Sequence, residues 1–85
     1  MPDHQIESDV DRIASTMLDV LLDYHPAHLS AEEVIREVAA DPSSFSDRSE
    51  TDEAIRELVR AGLLHRSGEF VFATRAAVRA SELGI

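Results

Sequence analysis

The sequence predicts one small α+β domain built from three helices, a short β-hairpin and a closing helix, and three observations carry that expectation. Ala54, Ile55, Leu58 and Val59 recur at helical spacing and are followed by Ala61-Gly62, a left-handed helix stop. Leu63-Leu64-His65-Arg66 and Glu69-Phe70-Val71-Phe72 then read as two short strands facing each other across Ser67-Gly68. Upstream, two further stretches repeat apolar residues every three or four positions.

In chain order, residues 1–8 are acidic and patternless and are expected to form a mobile tail, with the domain spanning 9–85. The first helix is expected from near Asp9 to Tyr24, capped by Ser8 or Asp9 and stopped by Pro26. Its stripe is Val10, Ile13, Ala14, Met17, Leu18, Leu21 and Leu22. Ala27-His28-Leu29 fits a short first strand. Ser30 and Glu33 have the spacing of a capping box, in which each side chain meets the other residue's amide, and Leu29 and Val34 have that of a hydrophobic staple. The second helix runs on from there and stops before Asp41-Pro42. Residues 42–49 read as a long loop with Phe45 plugging a gap beneath it, and Ser49 with Asp52 as the cap of the third helix. In the hairpin, a Ser67-Gly68 turn pairs Arg66 with Glu69 and places Leu63, His65, Phe70 and Phe72 on the core side. Thr74 caps the last helix, Arg75 to Leu83, whose apolar side is Ala76, Ala77, Ala80 and Leu83.

The phrase Glu57-Leu58-Val59-Arg60-Ala61-Gly62-Leu63-Leu64-His65-Arg66 resembles the helix-to-wing junction of bacterial winged-helix regulators, and the likeness to the winged helix-turn-helix superfamily runs from about Val10 to Ala73. The resemblance implies a three-helix core with a hairpin wing and double-stranded DNA as the partner. Arg56 and Arg60 would then face the groove, Ser49 and Thr51 the DNA backbone, and Arg66 the wing tip, with Arg75 and Arg79 extending the patch. Two half-sites read by a homodimer, joined through the first or last helix, fit the same reading.

Charge opposes it. The chain of 85 residues carries a formal -9, whereas a domain that grips phosphates usually has a basic face. Up to Ile55 three arginines stand against fourteen acids, and from Arg56 onward five arginines stand against three. Whatever positive field exists belongs to the hairpin end. Arg56 and Arg60 also fit exposed ion pairs with Asp52, Glu53 and Glu57, and Arg66 fits one with Glu69. The alternative function is therefore an acidic winged-helix module that binds a protein partner and no nucleic acid. Every base is arginine, which suits phosphate and guanine contacts but equally fits a GC-rich genome such as an actinobacterial one, or a salt-adapted organism with an acidic proteome.

Other classes find little support. With no cysteine there is no disulfide framework or thiolate metal site. His25 and His28 flank Pro26 without a helical spacing or further ligands nearby, so no metal and no cofactor is expected. No nucleophile motif, glycine-rich phosphate loop or His-Glu-x-x-His is present, so no enzyme is expected. The acidic residues of the first two helices read as a solubilising face. The start lacks a secretion-signal pattern and no apolar run is long enough for a bilayer, which leaves the cytoplasm as the expected location.

Overall fold

The computed structural model describes the backbone of residues 2–85 and the side chains of residues 10–85. It is an α+β arrangement of four helices and a three-stranded antiparallel sheet. The elements are α1 (Pro2–Tyr24), β1 (Leu29–Ser30), α2 (Ala31–Val38), α3 (Phe45–Arg60), β2 (Leu64–Ser67), β3 (Phe70–Ala73) and α4 (Arg75–Glu82). The sheet order is β1-β3-β2, so the chain's first strand lies against its last.

The helix α1 begins earlier than the expected start near Asp9 and ends where Pro26 predicts. Because α1 starts at Pro2, residues 2–8, expected as a patternless tail, are helical, and Ser8 and Asp9 lie inside the helix and do not cap it. Met17 and Leu21 of the predicted stripe are fully covered, with Ile13, Ala14 and Leu18 packed against them. They meet Val34 of α2, Ala54, Ile55 and Leu58 of α3, Leu64 of β2 and Val71 of β3 in one cluster. No helix among the described residues is long and apolar enough to cross a membrane.

Local chemistry explains the boundaries. The Ser30 hydroxyl accepts from the Glu33 amide at 3.1 Å, and the Ser30 amide donates to the Glu33 carboxylate at 2.8 Å, the reciprocal box that the spacing predicts. At the other end of α3, the Gly62 amide reaches the Val59 carbonyl and the Leu63 amide the Leu58 carbonyl, at 3.1 and 2.9 Å. This is a complete Schellman closure with Gly62 at φ 80°. A Cβ placed there meets nothing within 4 Å, so Gly62→Ala is expected to cost only the backbone strain of a left-handed alanine, about 1–2 kcal/mol. A urea melt checks it, and an unchanged midpoint contradicts the assigned φ.

Two expectations fail here. The first concerns the start of α3. The segment 42–49 is not a long loop: Ser44 is the cap, its hydroxyl accepting from the Asp47 amide at 3.3 Å, and the helix already runs at Phe45. Ser44-x-x-Asp47 and Ser49-x-x-Asp52 carry the same signature, and the one nearer Pro42 wins. Asp41 rounds the corner by accepting from the Ser43 amide and hydroxyl, while its own amide donates to the Asp47 carboxylate. Phe45 plugs nothing, being 86% exposed.

The second concerns the hairpin register. Ser67 pairs with Phe70, Arg66 with Val71, His65 with Phe72 and Leu64 with Ala73, so the turn is Gly68-Glu69. Gly68 has φ 60° and, among the described residues, none other than glycine has positive φ, which is the pattern of a type II′ turn with glycine in first place. The change of turn keeps the grouping, Leu64 with Val71 and His65 with Phe70 and Phe72, but the faces point the other way: Leu64, Val71 and Ala73 are buried, and His65, Phe70 and Phe72 lie on the outer face. The last helix also differs in detail: Ala77 is its one buried residue, while Ala76 and Leu83 are exposed.

Candidate functional site: the groove between α3 and the hairpin

The seven residues singled out from the sequence do not form one surface. Ser49 is exposed within α3, past its cap. Thr51 is fully buried and its hydroxyl donates to the Asp47 carbonyl at 2.8 Å, so it cannot contact a phosphate. The early start of α3 is the reason: position 51 lies in its second turn, on the face toward α1. Arg56, Arg60 and Arg66 do converge, lining a shallow groove of about 480 Å³ with Glu53, Ile55 and Val59. Arg75 and Arg79 belong to a different depression, bounded by α4 and the outer face of the sheet.

Within the groove the arginines are tied to the carboxylates of their own helix. Arg56 reaches Asp52 at 2.9 Å and Glu53 at 2.8 Å. Arg60 reaches Glu57 at 2.7 Å and Glu53 at 3.8 Å. Helical periodicity puts residues three and four apart on one side, so this ladder follows from the sequence. Arg66 is not at the hairpin tip and does not pair with Glu69. Its strand partner is Val71, and its guanidinium leans onto Asp52 at 3.9 Å. Three arginines thus pair with three carboxylates, so the cluster carries no net formal charge, although of the three acids only Glu53 lines the groove itself. The Arg56 guanidinium holds the Glu53 carboxyl below the usual carboxylate range, and Glu53 in turn raises Arg56.

The hairpin does not project freely. The Glu69 carbonyl at its turn accepts from the Ala31 amide at 2.8 Å, which fastens the tip to the start of α2. At its base, the Thr74 amide donates to the Leu63 carbonyl at 3.1 Å and the Thr74 hydroxyl to the Gly62 carbonyl at 2.7 Å. The same hydroxyl accepts from the Ala77 amide at 3.2 Å and so also caps α4, as expected of Thr74.

Sequence reasoning missed one cross-element pair. Arg48 near the start of α3 meets Glu32 of α2 through both guanidinium nitrogens, at 3.0 and 2.6 Å, and also donates to the Pro42 carbonyl. No periodicity signals it, because the partners lie on different helices. Arg48 depresses the Glu32 carboxyl, and the Ser30 amide, followed by the Ser30 side chain, depresses that of Glu33. A carboxyl lowered in the folded state contributes stability that is present above its unfolded pKa, near 4.5, and lost as pH falls through the folded value. The thermal midpoint is therefore expected to be insensitive to these groups near neutrality and to fall below about pH 4.5, with a shallower fall in Glu33→Gln.

Among the described residues no three His, Asp or Glu side chains come together in a way that could hold a metal ion. No family model matches the chain, and neither a curated protein nor a solved structure is detectably similar to it.

Proposed function

We propose that the chain is a winged-helix-type interaction domain whose groove between α3 and the hairpin receives a protein partner. The order helix, strand, helix, helix, hairpin, with the first strand closing onto the last, supports the fold assignment. One observation carries the functional part: every arginine that faces the groove is paired with a carboxylate on α3. A duplex brought to this surface would meet arginines already paired with Asp52, Glu53 and Glu57, within a chain of net charge -9. Non-specific duplex affinity comes from neutralised phosphates, and here nothing is left over to neutralise them. A mixed-charge groove beside Val59, which is 39% exposed, suits a polypeptide that brings both signs and an apolar anchor.

Duplex DNA is the second reading, that of a small transcriptional regulator. It is favoured by the exposure of the Arg56 and Arg60 side chains, 56% and 67%. Exposed pairs of this kind hold each other by only about 0.2–1 kcal/mol, so a phosphate can displace the carboxylates. Titration of the protein with random-sequence duplex at about 20 mM salt separates the two, because that is where electrostatic affinity is greatest. No binding supports the protein-partner reading. Binding that disappears in Arg56→Ala and Arg60→Ala overturns it.

A further inference from the structure

We propose that the depression between the outer sheet face and α4 is a binding site for a small planar anion, an aromatic ring carrying a carboxylate or phosphate. It encloses about 680 Å³ and draws on three separate elements: the turn after α1, the hairpin and α4. That size is within the range of small-ligand sites. Its wall is aromatic and already assembled. His28 lies parallel to Phe72 with ring centroids 3.9 Å apart and planes at 7°, and His65 leans on Phe72 from 5.3 Å at 51°. Val78 lines the site from the α4 side. This lining follows from the burial of Leu64 and Val71, which leaves the alternate residues His65 and Phe72 on the side away from the core.

The charge points to an anion. Arg48, Arg56, Arg60, Arg66 and Arg79 have carboxylate partners, whereas Arg36 on α2 and Arg75, which lines this site, make no ion pair among the described residues. Arg79 and Glu82 also line it and meet each other at 3.4 Å with both side chains more than half exposed, so two arginines stand against one carboxylate there. A guanidinium fork without a carboxylate is an open bidentate site for a carboxylate or phosphate. In a chain this acidic, an aromatic wall beside an uncommitted arginine selects a ligand with a flat apolar body and a single negative head. The ring packs on the wall of His28, Phe72 and His65, and the head meets Arg75, with Arg79 as the second fork. The site lies on the opposite face of the hairpin from the groove, so either proposal can fail alone.

A backbone amide NMR titration of the whole chain tests it, with benzoate, phenyl phosphate, cyclohexanecarboxylate and benzyl alcohol as probes. Benzoate or phenyl phosphate is expected to shift the amides of His28, His65, Phe72 and residues 75–79, with a Kd of about 1 mM or tighter. The tighter of the two identifies the preferred head group. Cyclohexanecarboxylate, lacking the flat ring, and benzyl alcohol, lacking the charge, are expected to bind at least about threefold more weakly. Arg75 is exposed at the start of α4, so Arg75→Gln should keep the thermal midpoint and raise the benzoate Kd at least about fivefold. The proposal is overturned if neither aromatic anion causes shifts at about 20 mM, a concentration well above the expected Kd. It is equally overturned if benzyl alcohol matches benzoate, or if Arg75→Gln leaves the Kd unchanged.

Discussion

Ile55→Ala is expected to lower the unfolding free energy by about 3–5 kcal/mol, the largest loss anticipated for a single truncation in this chain. Ile55 is fully buried in the cluster where α1, α2, α3 and both hairpin strands meet. Its removal forfeits the transfer energy of three carbons and leaves a void whose walls belong to different elements and cannot close together. A domain of 85 residues has a total stability of roughly 4–13 kcal/mol, so the loss removes about a quarter or more of it and, at the lower end of that range, all of it. Urea unfolding followed by circular dichroism measures the loss. Val59→Ala, on the same helix but 39% exposed, is the control and is expected to shift stability by no more than about 1 kcal/mol. Comparable losses in the two variants would contradict the rotation of α3 about its axis, and with it the set of residues that faces the groove.

The second large effect is a gain of DNA affinity. In the double variant Glu53→Gln, Glu57→Gln the partners of Arg60 disappear and Arg56 keeps only Asp52. The cluster then carries three arginines against one acid. Each removed charge lies on the order of 6 Å from an approaching phosphate, where it repels by about 0.7 kcal/mol in water-like dielectric. Together they raise duplex affinity about tenfold or more, with a salt slope of roughly -2 to -3 for two or three phosphate contacts. Fluorescence anisotropy with a labelled duplex at low salt, compared with the unaltered chain, measures it. Equal binding by both proteins would mean that the carboxylates do not govern access to the groove, and the protein-partner reading would lose its support.

What the sequence made legible is local. The capping box at Ser30 and Glu33, the Gly62 stop and the Thr74 cap each need only residues within four positions of one another, and all three form as read. The pairing of Arg56 and Arg60 with nearby carboxylates belongs to the same class, since both partners share a helix face. Two features could not be read from nearest neighbours. Ser44 and Ser49 offer equivalent caps, and the choice between them depends on how Thr51, Ala54 and Ile55 pack once the helix has docked. Ser67-Gly68 and Gly68-Glu69 offer equivalent turns and the same two faces, and which face turns inward is decided by Leu64 and Val71 entering the cluster while His65 and Phe72 remain outside.

The inward direction of the sheet, not the turn, creates the second depression: with Leu64 and Val71 turned to the core, His65 and Phe72, which the sequence places inside, build an outer aromatic wall with His28. Without that wall in view, the arginines of α4 read as an extension of the groove, whereas they line a surface on the other side of the hairpin.

Thr74 joins three parts of the chain through one side chain and one amide, binding the exit of α3, the base of the hairpin and the first turn of α4. With the Glu69 carbonyl held at the opposite end by Ala31, the hairpin is pinned at both extremities. Whatever docks against α3 and the hairpin therefore meets a jaw of preset gape, and little of its affinity is lost to ordering the receptor.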